Sequence, residues 1–134
     1  MLIEKALKKI FQDLVTQDNT QVFLSENDVT IRSFDHASKL ILTTPVYFGG
    51  NYIPQSVRLG INKSPPFEKN QTIKIFFTID EEHFRIFLNY RGMTDDMNNK
   101  KFVHLLEDFC FLANEWRIYL DEHDKNDLVH IKVR

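Results

Sequence analysis

The 134-residue sequence has one cysteine, Cys110, four glycines and four prolines, and a formal charge of only −2. A single thiol cannot close an internal disulfide, so neither a disulfide scaffold nor an oxidising compartment is indicated. With 17 Lys and Arg against 19 Asp and Glu, the net basic footprint that phosphate binding requires is missing. Nucleic acid is not expected as a partner. No window approaches the roughly 20 consecutive apolar residues of a bilayer span, so membrane insertion is not expected. Glu4, Lys5, Lys8 and Lys9 interrupt the apolar residues at the N-terminus, which therefore lacks a signal-peptide core. The setting these absences favour is a reducing cytoplasm.

Chemical motifs are equally sparse. His36, His83, His104, His123 and His130 are scattered, without HExxH or paired His/Cys spacing, and His83 falls at a hairpin tip. Cys110 lies between Phe109 and Phe111, a setting for a packed thiol rather than a nucleophile. Gly49-Gly50 and Gly92 fit turns rather than a phosphate loop, and Ser33, Ser38 and Ser56 lack GxSxG context. The run Asp121-Glu122-His123-Asp124-Lys125-Asn126-Asp127 holds metal-ligand residue types. Lys125 would occupy a ligand position and Asn126 the obligatory glycine of a calcium loop, so a solvated helix end is expected. Neither an enzyme activity nor a cofactor or metal is indicated.

What the sequence does have is apolar and aromatic mass: 43% hydrophobic residues, with 12 phenylalanines. That is enough to bury a core in one domain, 1–134, without metal or disulfide. Residues 2–17 repeat Ile3, Leu7, Ile10, Phe11 and Leu14 at helical spacing. Gln21 to Leu24 and Val29 to Phe34 alternate around the turn residues Ser25 to Asp28, a hairpin, and Lys39 to Thr44 reads as a third strand ending at Pro45. Residues 45–71 contain all four prolines together with many aromatics. They read as an ordered irregular loop, with a short strand at Ser56 to Ile61.

Thr72 to Ile79 and Phe84 to Tyr90 flank Asp80-Glu81-Glu82-His83, which predicts a hairpin pairing Ile79 with Phe84 and Phe76 with Phe87. A long helix is expected from about Thr94 to Glu122, with Phe102, Leu105, Leu106, Phe109, Leu112, Ala113, Trp116, Tyr119 and Leu120 in one stripe. Leu128 to Val133 alternates as a closing strand. Strand runs bracketed by helices define an α+β domain. An antiparallel sheet of about five to six strands packs against an N-terminal helix and a long C-terminal helix.

Large apolar residues on faces that should be wet carry the functional signal. Phe76 and Phe87 share the polar face of their hairpin. Phe23 and Phe34 fall on the Thr30/Arg32 side of the first hairpin, and Phe111 and Ile118 lie opposite the core stripe of the long helix. Either the long loop covers them or they meet another chain, since contiguous apolar patches mark interaction sites. These six are the candidate partner-binding residues.

The order helix, three strands, connector, hairpin, long helix resembles the cytoplasmic chaperones of bacterial type III secretion. Leu105-Leu106-Glu107-Asp108-Phe109 through Ala113-Asn114-Glu115-Trp116-Arg117-Ile118-Tyr119-Leu120 is similar to that family's closing helix, and Ile73 to Tyr90 to its last two strands. The family usually has a helix between its third and fourth strands and dimerises there. Here Pro54, Pro65 and Pro66 predict an irregular connector instead. The resemblance implies protein binding without turnover: a secreted effector held in a non-globular form by apolar grooves and an open strand edge. A homodimer and a heterodimer both remain open, as does a regulatory or structural module that binds a folded partner. A small enzyme with its pocket under the aromatic loop is the least favoured reading.

Overall fold

A computed structural model describes residues 19–24, 27–34, 38–68, 73–95 and 97–133, with side chains described in these ranges except at 19–23, 34 and 126–133. The helix expected over 2–17 lies outside them. Five strands form one antiparallel sheet in the order β1-β2-β3-β5-β4. They are β1 (Asn19–Leu24), β2 (Asn27–Phe34), β3 (Lys39–Phe48), β4 (Ile75–Asp80) and β5 (Arg85–Met93). Among the described residues there are also two helices, α1 (Gln55–Gly60) and α2 (Asn99–Val133), and a 3-10 turn at Pro66–Glu68. The α+β architecture expected from the sequence is the one observed.

Strand alternation sorts the residues by face. Val29, Ile31, Leu40, Leu42, Val46, Ile86 and Leu88 point inward and are fully buried against α2. From α2, every residue of the expected stripe is buried except Tyr119, which is half-buried. The 3.6-residue period of that stripe matches the apolar face offered by the sheet, so α2 packs along it. Val57 of α1 is buried in the same core, and Phe67 in the 3-10 turn packs against it.

Several boundaries depart from the sequence reading. β3 does not stop at Pro45 but continues to Phe48. Its pairing with β2 ends at Thr43, and a bulge separates the Pro45–Phe87 and Tyr47–Ile86 pairs. A proline is tolerated at such a ladder interruption. In the first hairpin, Leu24 pairs with Asn27, so Asn27 and Asp28 belong to β2 and not to the turn.

The expected strand at Ser56 to Ile61 is a helix, α1, and the connector is not wholly irregular. Pro54 takes the N-cap position with φ −60°, where its missing N–H costs nothing and its ring presets the entry. Gly60 lets α1 lie close to α2: a Cβ there would stand 3.3 Å from Leu120.

The final helix starts at Asn99 rather than near Thr94, because Asn98 caps it: its Oδ1 accepts the Lys101 backbone N–H at 2.8 Å. The expected closing strand at Leu128 to Val133 is instead the continuation of α2. No glycine or proline stands between Asn99 and Val133 to stop it.

The β4–β5 hairpin forms with every residue on its expected face, but its register is slipped. Ile79 pairs with Ile86, Phe77 with Leu88 and Phe76 with Asn89, where Phe84, Ile86 and Phe87 were expected. Asp80 closes the ladder opposite Arg85, and its carboxylate accepts the backbone N–H groups of Glu82 and His83. That Asx-type bonding makes Asp80 the first residue of the turn rather than part of the loop. Phe84 then takes φ +57° to re-enter the sheet, a role more common for glycine or asparagine. Sliding the turn by one residue moves each strand by one and preserves the faces.

Candidate protein-binding surfaces

The outer face of the sheet is built in rows fixed by the register. Arg32, Ile41 and Arg91 stand side by side, and Thr30, Thr43, Asn89 and Phe76 form the next row. Pro45, Phe87 and Thr78 follow, then Phe48, Arg85 and Asp80. A polar ladder runs through the centre. Thr43 Oγ1 donates to Asn89 Oδ1 at 2.8 Å, and Asn89 Nδ2 donates to Thr78 Oγ1 at 3.1 Å. Asn89 is 5% exposed on a face that carries no described helix; its neighbours' side chains close over it. The ladder gives this face a fixed, pre-organised surface.

Apolar side chains border that ladder. Phe76 is 43% exposed and Phe87 half-buried, the latter under the Arg85 guanidinium at 5.4 Å from its ring centre. Asp80 holds the end of the face. The hydrogen bond from His83, with its backbone N–H bonds, keeps its carboxyl below the usual carboxylate value. His83 itself is exposed in the hairpin turn, as expected.

A second surface lies on the far side of α2. Phe111 and Ile118, two turns apart, are 47% and 56% exposed and point away from the sheet. Phe76 and Phe87 are therefore on one side of the molecule, and Phe111 and Ile118 on the other. For Phe23 and Phe34 the backbone register pairs Phe23 with Asp28 and Phe34 with Lys39; their side chains lie outside the described residues.

The sequence reading missed a third group: Phe48, Tyr52 and Leu59, all more than half exposed at the β3–α1 junction. Reading 55–60 as a helix would have found Leu59, two residues from the buried Val57 and so on the opposite side. Gly49 shapes this corner. Its N–H donates to the Phe84 carbonyl at 2.7 Å, and a Cβ would collide with the Tyr52 carbonyl.

Along the edge strand β4, a cavity of about 420 Å³ opens between the sheet, the 3-10 turn and α2. Ile61, Ile73, Ile75, Phe77 and Trp116 line it with Glu68. Trp116 Nε1 donates to Glu68 Oε1 at 2.8 Å, and its ring meets those of Phe67, Phe77 and Tyr119 edge-on at 4.7–5.4 Å. Among the described lining residues the one carboxylate, Glu68, is thus already engaged by the indole.

The opposite end of the sheet is tied to α2 by polar bonds. Asn27, fully buried, donates to Asn114 Oδ1 and accepts from Arg117, which also donates to the Pro45 carbonyl. Nearby, Cys110 Sγ faces the Leu24 carbonyl at 3.8 Å, and burial pushes its pKa up to about 11. It is a packed thiol, not an activated nucleophile. Among the described residues, no group of three His, Cys, Asp or Glu side chains is placed to hold a metal ion. No described helix is long and apolar enough to cross a membrane.

This fold, a five-stranded antiparallel sheet with a long C-terminal helix packed on it, is shared with solved chains of chaperone–effector and type III secretion complexes. A chain of the ExsC–ExsE complex superposes with a TM-score of 0.62 at 13% identity, covering 88% of this chain and 92% of that one. The HopA1–SchA chaperone–effector complex gives 0.55 at 13%, covering 87% and 94%. The ExoU–SpcU complex of the Pseudomonas aeruginosa type III secretion system gives 0.54 at 11%, covering 79% and 85%. No family model and no curated protein matches by sequence. The resemblance read from the order of elements is therefore borne out at the level of the fold.

Proposed function

We propose that this protein is a non-catalytic chaperone that binds a type III secretion effector in the bacterial cytoplasm and keeps it competent for export. The observation that carries the reading is the fold match to complexes of this system, joined to large apolar side chains exposed on two opposite surfaces. The partner-binding residues in this reading are Phe76 and Phe87 on the sheet, Phe111 and Ile118 on α2, and Phe23 and Phe34 of the first hairpin. A client that wraps an exterior must reach both sides of the molecule, and an extended chain can do so where a folded domain cannot. The cavity beside β4 supports binding over turnover. Among the described residues its titratable side chains are Glu68, held by Trp116, and Lys74.

The test is co-expression with the N-terminal segments of proteins secreted by the same organism. A stable complex is expected with at least one of them, the bound segment protected from protease yet lacking a globular fold by NMR dispersion. A partner that stays folded when bound would instead favour a regulatory or structural module. Failure of every segment to bind would remove the chaperone reading.

A further inference from the structure

The charges on the outer sheet face are sorted by end. Arg32 and Arg91 flank Ile41 in one row, and Lys39, paired with Met93, stands in the row beyond. Lys74, one residue before β4, is exposed and follows the alternation onto the same side as Phe76. Asp95, which lines a shallow pocket with Met93, is the acid described nearest that end. The acids Asp28 and Asp80 lie at the other, where Asp80 meets Arg85 and His83. Four cations thus gather at one end of a face of mixed polar and apolar side chains, on a protein whose formal charge is −2.

Apolar side chains are interleaved with these cations. Met93 is 53% exposed and Phe76 43%, and Ile41 sits between the two arginines. We propose that this face docks an acidic polypeptide segment that also carries apolar side chains, with its carboxylates toward the Arg32, Lys39, Lys74 and Arg91 end. This deepens the chaperone reading and rests on it for the identity of the client. Nucleic acid is the weaker fit: the cations surround apolar side chains, and the protein as a whole repels phosphate. Complementary charge of this kind sets orientation and association rate, while the buried apolar anchors hold the complex.

The probe is a labelled 15-residue peptide alternating Glu or Asp with Phe or Leu, titrated by fluorescence anisotropy at low and high salt. Binding is expected to weaken at least tenfold in the Arg32→Glu/Arg91→Glu variant and in Phe76→Ser. It should also weaken with rising salt, and be lost when the peptide's acids are replaced by Lys. The Lys63→Glu variant, altered at an exposed position of the connector, should bind as the wild type does. Circular dichroism and thermal melts establish that each variant is folded. Equal binding by the charge-reversed variant, or tighter arginine-dependent binding of a DNA duplex or of phosphatidylserine vesicles, would overturn the proposal. A secretion client captured equally by wild type and charge-reversed protein would remove this docking face while leaving the chaperone reading standing. Peptide binding that depends on the arginines, with no client captured, would do the reverse.

Discussion

Phe76 and Phe87 are diagonal neighbours on the outer face of the β4–β5 hairpin, and the amide of Asn89 donates to both of their carbonyls, at 3.4 and 3.3 Å. They stand on the face expected of them but one step out of direct opposition. Asn89 occupies the position opposite Phe76, so two aromatics and a buried amide form one unit.

Replacing Asn89 with alanine should therefore cost more than its small size implies. Thr43 Oγ1 and Thr78 Oγ1 would both lose their shared partner on a surface where Asn89 is 5% exposed. A loss of about 1–3 kcal/mol is expected in chemical denaturation. Wild-type stability in Asn89→Ala would show that water replaces the ladder without cost.

Phe111→Glu with Ile118→Glu tests the exposed side of α2. Both positions are about half exposed, so the fold should survive with a change within about 0.5 kcal/mol. Burying the remaining apolar area against a second chain is worth about 2–3 kcal/mol before association costs. Light scattering coupled to size exclusion, together with client capture, should show weaker self-association or weaker capture. Unchanged mass and capture would make these residues ordinary surface, and unfolding would place them in the core.

Trp116 is the only tryptophan, so its fluorescence reports on the joint between α2, the 3-10 turn and β4. Trp116→Phe keeps the edge-on ring packing but loses the bond to Glu68, and about 1 kcal/mol of destabilisation is expected. Trp116→Ala should cost about 3–5 kcal/mol by opening the core toward the existing cavity. We propose that the chain folds as a single domain, so fluorescence and far-ultraviolet dichroism of the wild type should report one coincident transition, and two separate transitions would overturn that reading.

Cys110 should resist thiol reagents in the native state at neutral pH, because burial raises its pKa from 9.0 to about 11. The unfolded thiol ionises first. Its contribution to stability is therefore complete below about pH 9 and is lost as pH rises toward about 11. Tyr90, its pKa also raised by burial, acts in the same direction. Melting temperatures should fall across this window, and a Cys110→Ala variant should show a shallower fall. Rapid labelling of native protein at neutral pH would contradict the buried placement.

The sequence by itself determined the core stripe of α2 and the inward and outward faces of the β4–β5 hairpin. Hydrophobic periodicity is a local property: the α2 stripe from Phe102 to Leu120 and the two-residue alternation of Ile75, Phe77 and Ile79 are set by backbone geometry alone. The exposed positions of Phe76, Phe111 and Ile118 follow from the same periods, and the type III secretion chaperone fold was legible in the order of elements. Only the tertiary structure decided the hairpin register, because an Asp80 carboxylate bonding back to the chain and a left-handed Phe84 together outweigh symmetric loop counting. Only packing decided that residues 55–60 form a helix after Pro54, since Gly60 matters there through its approach to Leu120. The extension of β3 through Pro45 depends on where β2 stops pairing. The gathering of Arg32, Lys39, Lys74 and Arg91 has the same origin. These cations come from four separate segments, and a sheet register, not a sequence spacing, brings them together.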